Sequence, residues 1–434
     1  MPSISRKMAV IAAIALVSAC TPGEAEKPVA SPGTEASGTV EFWHFFTDRE
    51  AKAIDTIVAD FKASHPKIDV VVKSGQDDTK MLQAIGAGQG PDIGLSYSTD
   101  TVGKFCASGA WLDLEQYIER DGVDLNKLPA TVRSYTEFKG RRCAMPFLAD
   151  TYGFYYNKAL LPTPPRTLSE LTETAKRLTK RKPDGTIERA GFLPLFGFYE
   201  HSPSHLGPAV GAKWLNDDGT SAIGSDPAWL ELLEWQKELI DWYGYDKLEK
   251  FRASLGDEWS ADNAFHKGQI AMMVDGEYRI AFLRDQAKDV KFGTAPLPVS
   301  DAHPDWYGGG YVTGNVIGVS KTAKNPEAAW ELIRYLTTDT GAIVKLANLI
   351  KNVPSTTDAL AAPGDLGNDP DFKVFLDIFA HPHTSTTPPS AVGPAYEEAF
   401  ATYLQKYQAG KGGDPGPGLK DVDKQINQLV QLAG

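Results

Sequence analysis

Long apolar runs are missing from the body of this 434-residue sequence: after residue 20 nothing approaches the roughly 18 uninterrupted apolar residues needed to span a bilayer. No membrane span is therefore expected there. Positive charge is also scarce, with 44 Lys and Arg against 56 Asp and Glu and a net charge of −12. A surface that reads polyphosphate needs a Lys/Arg excess interleaved with aromatics, so nucleic acid is excluded as a partner. Catalytic signatures are missing too. There is no G-x-S-x-G elbow, no G-x-x-x-x-G-K-[ST] loop and no H-E-x-x-H helix. Ser64-His65-Pro66-Lys67 has the S-x-x-K form, but Pro66 puts Lys67 beyond a helix stop, and no S-D-N or K-T-G accompanies it. Gly86-Ala87-Gly88-Gln89-Gly90 has the wrong spacing for a dinucleotide turn and ends a helix instead of opening one. His201 and His205 are separated by Pro203, and His381-Pro382-His383 lies in a Thr/Pro-rich loop, so no metal and no cofactor is implied. Carboxylates are plentiful, yet none stands out as a glycosidase acid/base pair.

What is present begins at the start of the chain. Arg6 and Lys7 precede an apolar run from Met8 to Val17 that is too short to cross a membrane, and Leu16-Val17-Ser18-Ala19-Cys20 closes it with small residues before a cysteine. This resembles a bacterial lipobox. The resemblance implies that residues 1–19 are removed and that Cys20 carries the two or three acyl chains that stable anchoring needs. Loss of a leader whose charged side chains are Arg6 and Lys7 takes the net charge from −12 to −14. Residues 21–37 lack aromatic and large apolar side chains apart from Val29, so residues 20–37 read as a lipidated Cys and flexible tether. The remainder exceeds one ordinary domain of roughly 100–200 residues and suggests two lobes or three. With Cys20 lipidated, Cys106 and Cys143 are an even pair in an exported protein, which favours one disulfide over two buried thiols.

Periodicity then alternates. Thr39 to Phe46 is rich in strand formers, and Thr47-Asp48-Arg49-Glu50 has the form of a capping box that opens a helix carrying Ile54, Ile57, Val58 and Phe61. Ile68 to Val72 is the next strand, Met81, Leu82 and Ile85 the next helix face, and Asp92 to Tyr97 a third strand. Alternating strands and helices imply an α/β fold with a parallel sheet. Beyond Met145-Pro146 helices dominate. Thr167-Leu168-Ser169-Glu170 is a second capping box, while Asp226-Pro227 and Asn325-Pro326 each place a cap residue before a proline. Gln269–Val274, Lys291–Leu297 and Gly310–Val319 read as strands, and Val422, Ile426, Leu429 and Val430 as the buried face of a last helix.

Aromatics are the more useful chemical signal, with 9 Trp and 16 Tyr. Trp43-His44, Trp259, Tyr278, Trp306-Tyr307 and Tyr396 fall among polar residues. Sugars present apolar C–H faces with a rim of hydroxyls, so a site for them needs flat aromatic platforms with carboxylates and amides around them.

In this order VEFWHFFT from Val40, Gly88-Gln89-Gly90-Pro91-Asp92-Ile93, MPFLADTYGFYYNKALL from Met145, FHKGQIAMMVDGEYRIAFL from Phe265 and GGGYVTGNVIGVSKTAKNPEAAWELIRYLTT from Gly308 resemble the sugar-binding lipoproteins of bacterial ABC importers, the extracellular solute-binding proteins of the maltose-binding type. The resemblance implies a two-lobed α/β fold with an interlobe hinge and ligand cleft. It puts 38–146 plus 295–320 in lobe 1 and 147–294 plus 321–434 in lobe 2, with crossings near Met145–Asp150, Lys291–Ala295 and Val319–Lys321. By position it assigns to the ligand Trp43, His44 and Asp48 after the first strand, Gln76 and Asp77 after the second, and Tyr97 and Asp100 after the third. Asp150 at the crossover, Glu277 and Tyr278 after the Val274-Asp275-Gly276 turn, Trp306, Gly309 and Gly310 in a facing loop, and Tyr396 on a late helix complete the set. The strand Ile93-Gly94-Leu95-Ser96-Tyr97 departs from the family pattern in lacking a tryptophan and an acidic residue. The implied protein is a non-enzymatic monomer held at the outer face of the membrane by its lipid. Its partners are a small ligand, a carbohydrate by resemblance, and the importer's permease subunits. A receptor for a polyamine, polyol or metal complex on the same fold, or a secreted glycoside hydrolase, stays open as an alternative.

Overall fold

The computed structural model describes residues 36–432, so the leader, Cys20 and the tether as far as residue 35 lie outside the described residues. Nine strands are named in chain order: β1 Gly38–Trp43, β2 Ile68–Lys73, β3 Ile93–Ser96, β4 Met145–Asn157, β5 Lys180–Arg181, β6 Ile187–Arg189, β7 Met272–Gly276, β8 Phe292–Ala295 and β9 Tyr311–Val319. Seven of them form one sheet in the order β2-β1-β3-β9-β4-β7, with β8 also on β4, while β5 and β6 make a separate hairpin.

Parallel pairing joins β1 to β2, from Gly38↔Ile68 to Trp43↔Lys73, and β1 to β3 at Phe42↔Ile93. The connecting helices α1 (Asp48–Ser64) and α2 (Asp78–Gly86) turn Ile54, Ile57, Phe61, Met81 and Ile85 onto that sheet. A long buried strand then carries the chain out of this half. β4 is buried along all but its last residue, as its near-continuous apolar sequence requires, and 13 residues at about 3.3 Å each extend for about 43 Å. Its first half pairs antiparallel with β9, from Met145↔Ile317 to Tyr152↔Tyr311, with an irregularity between Pro146 and Ala149. Its second half pairs with β7 and β8.

That register moves the expected crossings. β8, placed near a crossing at Lys291–Ala295, lies on the far end of β4 opposite Phe154–Asn157, wholly within the second half. The chain crosses instead inside β9, and again where Val353 bridges Ala149. Residues 321–350, expected in lobe 2, hold helices Pro326–Thr338 and Thr340–Ile350, which pack on β1 and α1 respectively. Residues 295–310, expected in lobe 1, lie with the second half, where Val299 bridges Thr167 and the Ser300 amide donates to the Ala209 carbonyl. The reason is that β9 spans both halves, so its ends, and not its flanks, mark the change of side.

Local chemistry explains the helix starts. The Thr167 hydroxyl accepts from the Glu170 amide, Asp226 accepts from the Ala228 amide with Pro227 at the first helical position, and Asn325 turns its Nδ2 to the Thr39 carbonyl at 2.8 Å instead of capping. The expected box at Thr47–Glu50 does not form: Thr47 makes no side-chain cap bond and Asp48 sits at φ +48°. Cys106 and Cys143 are joined by a disulfide with Cα atoms 5.5 Å apart, tying the short helix Val102–Ala107 to the approach to β4. The final helix, Pro415–Leu432, docks through Leu419, Val422 and Ile426.

Between β3 and β9, Gly94 and Gly318 face each other in register. Trp111, stacked on Phe105 at 4.0 Å, fills the space beside Gly318, and the Met81 sulfur fills most of that beside Gly94. A Cβ on Gly318 would lie 2.5 Å from the indole, so Gly318→Ala should destabilise the protein by about 1–3 kcal/mol. Chemical denaturation of the variant checks this. An unchanged midpoint would show that the indole has room to move.

Candidate functional site

Where the two halves meet, a cavity of about 620 Å³ opens between the segment after β1, the end of β3, the middle of β4 and β9, and the start of the helix after β7. Each wall follows from its strand's alternation. On β4, Asp150 and Tyr152 both face the cavity, two residues apart on one side of the strand. After β7, Tyr278, Phe282, Asp285 and Gln286 fall on one face of helix Arg279–Gln286 and its cap. Phe45, Phe46 and Thr47 come from the β1–α1 connection, Asp48, Arg49 and Glu50 from the first turn of α1, and Tyr97 from the end of β3, its ring edge-on to Phe45 at 5.9 Å. Glu200, Trp259, Asn315 and Asn352 complete it.

Of the residues assigned by resemblance, Asp48, Tyr97, Asp150 and Tyr278 meet here, and the others do not line the cavity. Trp43 is buried on the opposite side of the strand end: its Nε1 donates to Glu41, and Lys73 and Lys80 stand 5.4 and 5.8 Å from its ring. His44 is packed between Phe42 and Phe46 and kept neutral, because burial pulls its pKa down to about 4. Gln76 bonds the Ser74 carbonyl at the surface, and Asp77 caps α2 by accepting from the Lys80 amide. Asp100 is buried and accepts from Ser98. Glu277 lies behind the wall and accepts from the Thr151 amide at 2.7 Å. Trp306 stacks on His303 at 3.9 Å, and Gly309 and Gly310 lie tight against the backbone of His383 and Tyr152. Tyr396 is core, its hydroxyl donating to the Pro388 carbonyl. The common cause is that a strand's parity and its exact exit point decide which side chain reaches the cleft, and a shift of one or two residues exchanges Trp43 for Phe45 and Phe46.

Residues not foreseen could in part have been found. Tyr152 lies at i+2 from Asp150 on a strand, and Phe282 at i+4 from Tyr278 on a helix; Glu200, Asn315 and Asn352 carry no local signal.

Electrostatics dominate the site. Asp150 accepts from the Nδ2 atoms of Asn352 and, at 3.2 Å, Asn315, yet burial, then the charges of Glu50 and Glu200, push its pKa up to about 7. Glu200 is also raised, chiefly by burial. Behind the wall Arg279 donates to Asp275 at 2.6 Å, with both side chains fully buried, and its guanidinium lies 5.1 and 5.0 Å from the Trp259 and Phe282 rings. Glu258, beside Glu200 and Asp275, is pushed up to about 9, mainly by burial. Tyr278, Trp259 and Phe282 thus form a platform whose back is fixed by a buried cation.

The sequence profile of the bacterial extracellular solute-binding proteins matches residues 47–343. The chain belongs to that family. Among curated relatives of this solute-binding protein, the maltotriose-binding protein of Pyrococcus abyssi is 29% identical over 352 residues, covering 80% of this chain and 72% of that protein. The maltodextrin-binding protein of Bacillus subtilis is 25% identical over 319 residues, covering 70% and 71%. Among solved structures, a mannotriose-bound protein superposes with a TM-score of 0.79 at 25% identity, covering 89% of this chain and 99% of its own. The maltose/maltodextrin-binding domain from Bdellovibrio bacteriovorus shares the fold, with a TM-score of 0.73 at 21% identity and coverage of 91% and 100%. The two-lobed α/β architecture is that of these neighbours.

The buried carboxyls give this solute-binding protein a pH dependence whose sign can be worked out. Asp150, Glu397 and Glu258 hold protons to about 7, 8 and 9 when folded, whereas the unfolded chain releases them near pH 4. The folded state binds more protons, so each lowers stability as pH rises towards its folded value. His44, His201 and His205, held neutral to about 4, act in the opposite direction only below about 6.5. Ligand-free protein should therefore melt at a lower temperature at pH 9 than at pH 6.5, and Asp150→Asn should narrow the gap. Calorimetric melts across that range test it; a rising midpoint would contradict the assignment.

Proposed function

We propose that this protein captures a short saccharide in the 620 Å³ cavity and delivers it to the transmembrane subunits of an ABC importer. One observation carries the reading: a single cavity holds an aromatic platform, Tyr278, Trp259 and Phe282, opposite hydrogen-bonding side chains on the crossing strands, Asp150 and Asn315. A pyranose needs both surfaces at once. The saccharide-binding relatives support it, and the solute-binding family supports a receptor and not an enzyme.

In this reading one lobe comprises residues 38–148 and 315–350, the other 151–311 and 354–432, and they bend about Ala149–Asp150, Thr313 and Asn352–Val353. Each lobe holds part of the contacts, so ligand stabilises the closed arrangement more than the open one. The protein works as a monomer, tethered outside the cytoplasmic membrane by acyl chains on Cys20. Among the described residues no helix is long and apolar enough to cross a membrane, consistent with an anchor placed elsewhere.

Titration calorimetry with maltotriose and mannotriose should give saturable binding, with the sugar recovered intact. Failure of every saccharide to bind, or recovery of cleaved sugar at turnover, would sink the proposal. Loss of aromatic stacking in Tyr278→Ala should weaken binding about tenfold or more while the protein still melts cooperatively. Labelled palmitate should enter the wild type and not Cys20→Ser; equal labelling would remove the anchor.

A further inference from the structure

The cavity is lopsided in its hydrogen-bonding chemistry. Asp48, Glu50, Asp150, Glu200 and Asp285 line it, and Arg49 is the only Lys or Arg among the described residues that do. That guanidinium is already engaged. It donates to the carbonyls of Leu349 at 2.9 Å and Ile350 at 3.1 Å, and to Glu50 Oε1 at 3.3 Å. Two of the three amides on the wall, Asn352 and Asn315, each give an Nδ2 hydrogen to Asp150, and the third, Gln286, is exposed at the rim.

Asn315 is the sharper observation. With Asp150 ionised, this bond fixes the amide's orientation, since the reverse would set the amide oxygen against a carboxylate oxygen. The Oδ1 is left as a buried acceptor without a partner, on a side chain only 3% exposed that lines the cavity. A buried acceptor of this kind is costly unless a ligand supplies a donor. Asp150 beside it already accepts from both asparagine amides and Glu200 from a tyrosine hydroxyl, but once ionised the two carboxylates repel, and a cation relieves that repulsion more fully than a neutral hydroxyl does.

The rings supply the apolar surface. Trp259 and Phe282 already carry the Arg279 guanidinium at 5.1 and 5.0 Å, so what they offer the cavity is a face for C–H groups. Tyr278 lies beside Trp259, with ring centroids 5.6 Å apart.

We infer that the ligand is a saccharide bearing a protonated amine, with its ammonium held by Asp150, Glu200 and the Asn315 Oδ1 and an apolar sugar face on Tyr278 and Trp259. This deepens the saccharide reading given above and rests on it. The relation is one of charge: five carboxyl side chains face one engaged guanidinium, and a neutral sugar brings no charge to answer them.

Matched pairs test it on the full-length protein freed of ligand. Calorimetry at pH 7 would compare the β-1,4-linked trisaccharide of unacetylated glucosamine with cellotriose, and maltotriose and mannotriose reductively aminated at their reducing ends with the corresponding alditols. Spermidine serves as a cation without a sugar. The expected result is that the amine member binds at least tenfold tighter in one pair or more. The advantage should shrink severalfold in Glu200→Gln and in Asp285→Asn, the latter an exposed rim residue whose change leaves the buried wall alone. If neutral members bind as tightly as their amine partners, the inference falls and the saccharide reading stands. If spermidine binds and no saccharide does, or nothing binds, both fall.

Discussion

The antiparallel pairing of β4 with β9 is the constraint on which the rest of this molecule depends. Two long strands, hydrogen-bonded from Met145↔Ile317 to Tyr152↔Tyr311, pass through both halves and leave them no independent route apart. A further crossing at Ala149↔Val353 adds a third thread at the same level. Because several segments cross together, relative motion is limited to bending or twisting at that level. The side chains there, Asp150, Asn315 and Asn352, are also the polar floor of the cavity. The proposed hinge and the proposed recognition surface are thus one set of residues, so a ligand that bonds the floor would also act on the hinge.

Burial without full charge compensation gives that floor its character. Behind the wall, charge is matched at close range by the fully buried Arg279–Asp275 pair. In front of it, Asp150 and Glu200 are held among other carboxylates, and their proton affinity rises accordingly. A buried ionised group is tolerable only when partnered. The unpartnered Asn315 Oδ1 beside them is the acceptor on which the proposed selectivity for a donor-rich ligand rests.

Much of the architecture was legible along the chain, for a physical reason that differs by element. β1, α1, β2 and β3 announce themselves because each has its own period and its own turn residues, and their parallel pairing needs only short helical crossovers. The disulfide partners could be chosen because few cysteines remained. Of the residues assigned by resemblance, Asp150 on β4 and Tyr278 after β7 line the cavity, because each marks a strand or helix end at the junction of the halves. Trp43 looked like the platform residue but is committed to Glu41 and Lys73, while Phe45 and Phe46, just beyond, reach the cavity.

Taken alone, the amino-acid sequence determined the α/β alternation and the family, because these depend on local pattern. Tertiary structure alone decided where the chain changes lobe, that helices Pro326–Thr338 and Thr340–Ile350 return to the first half, and which carboxylates share one cavity. Glu200, Asn315 and Asn352 come together across more than a hundred residues, and no local period encodes such proximity. It follows from strand register, which is set by the mutual burial of β4 and β9 and exists only once both are in place.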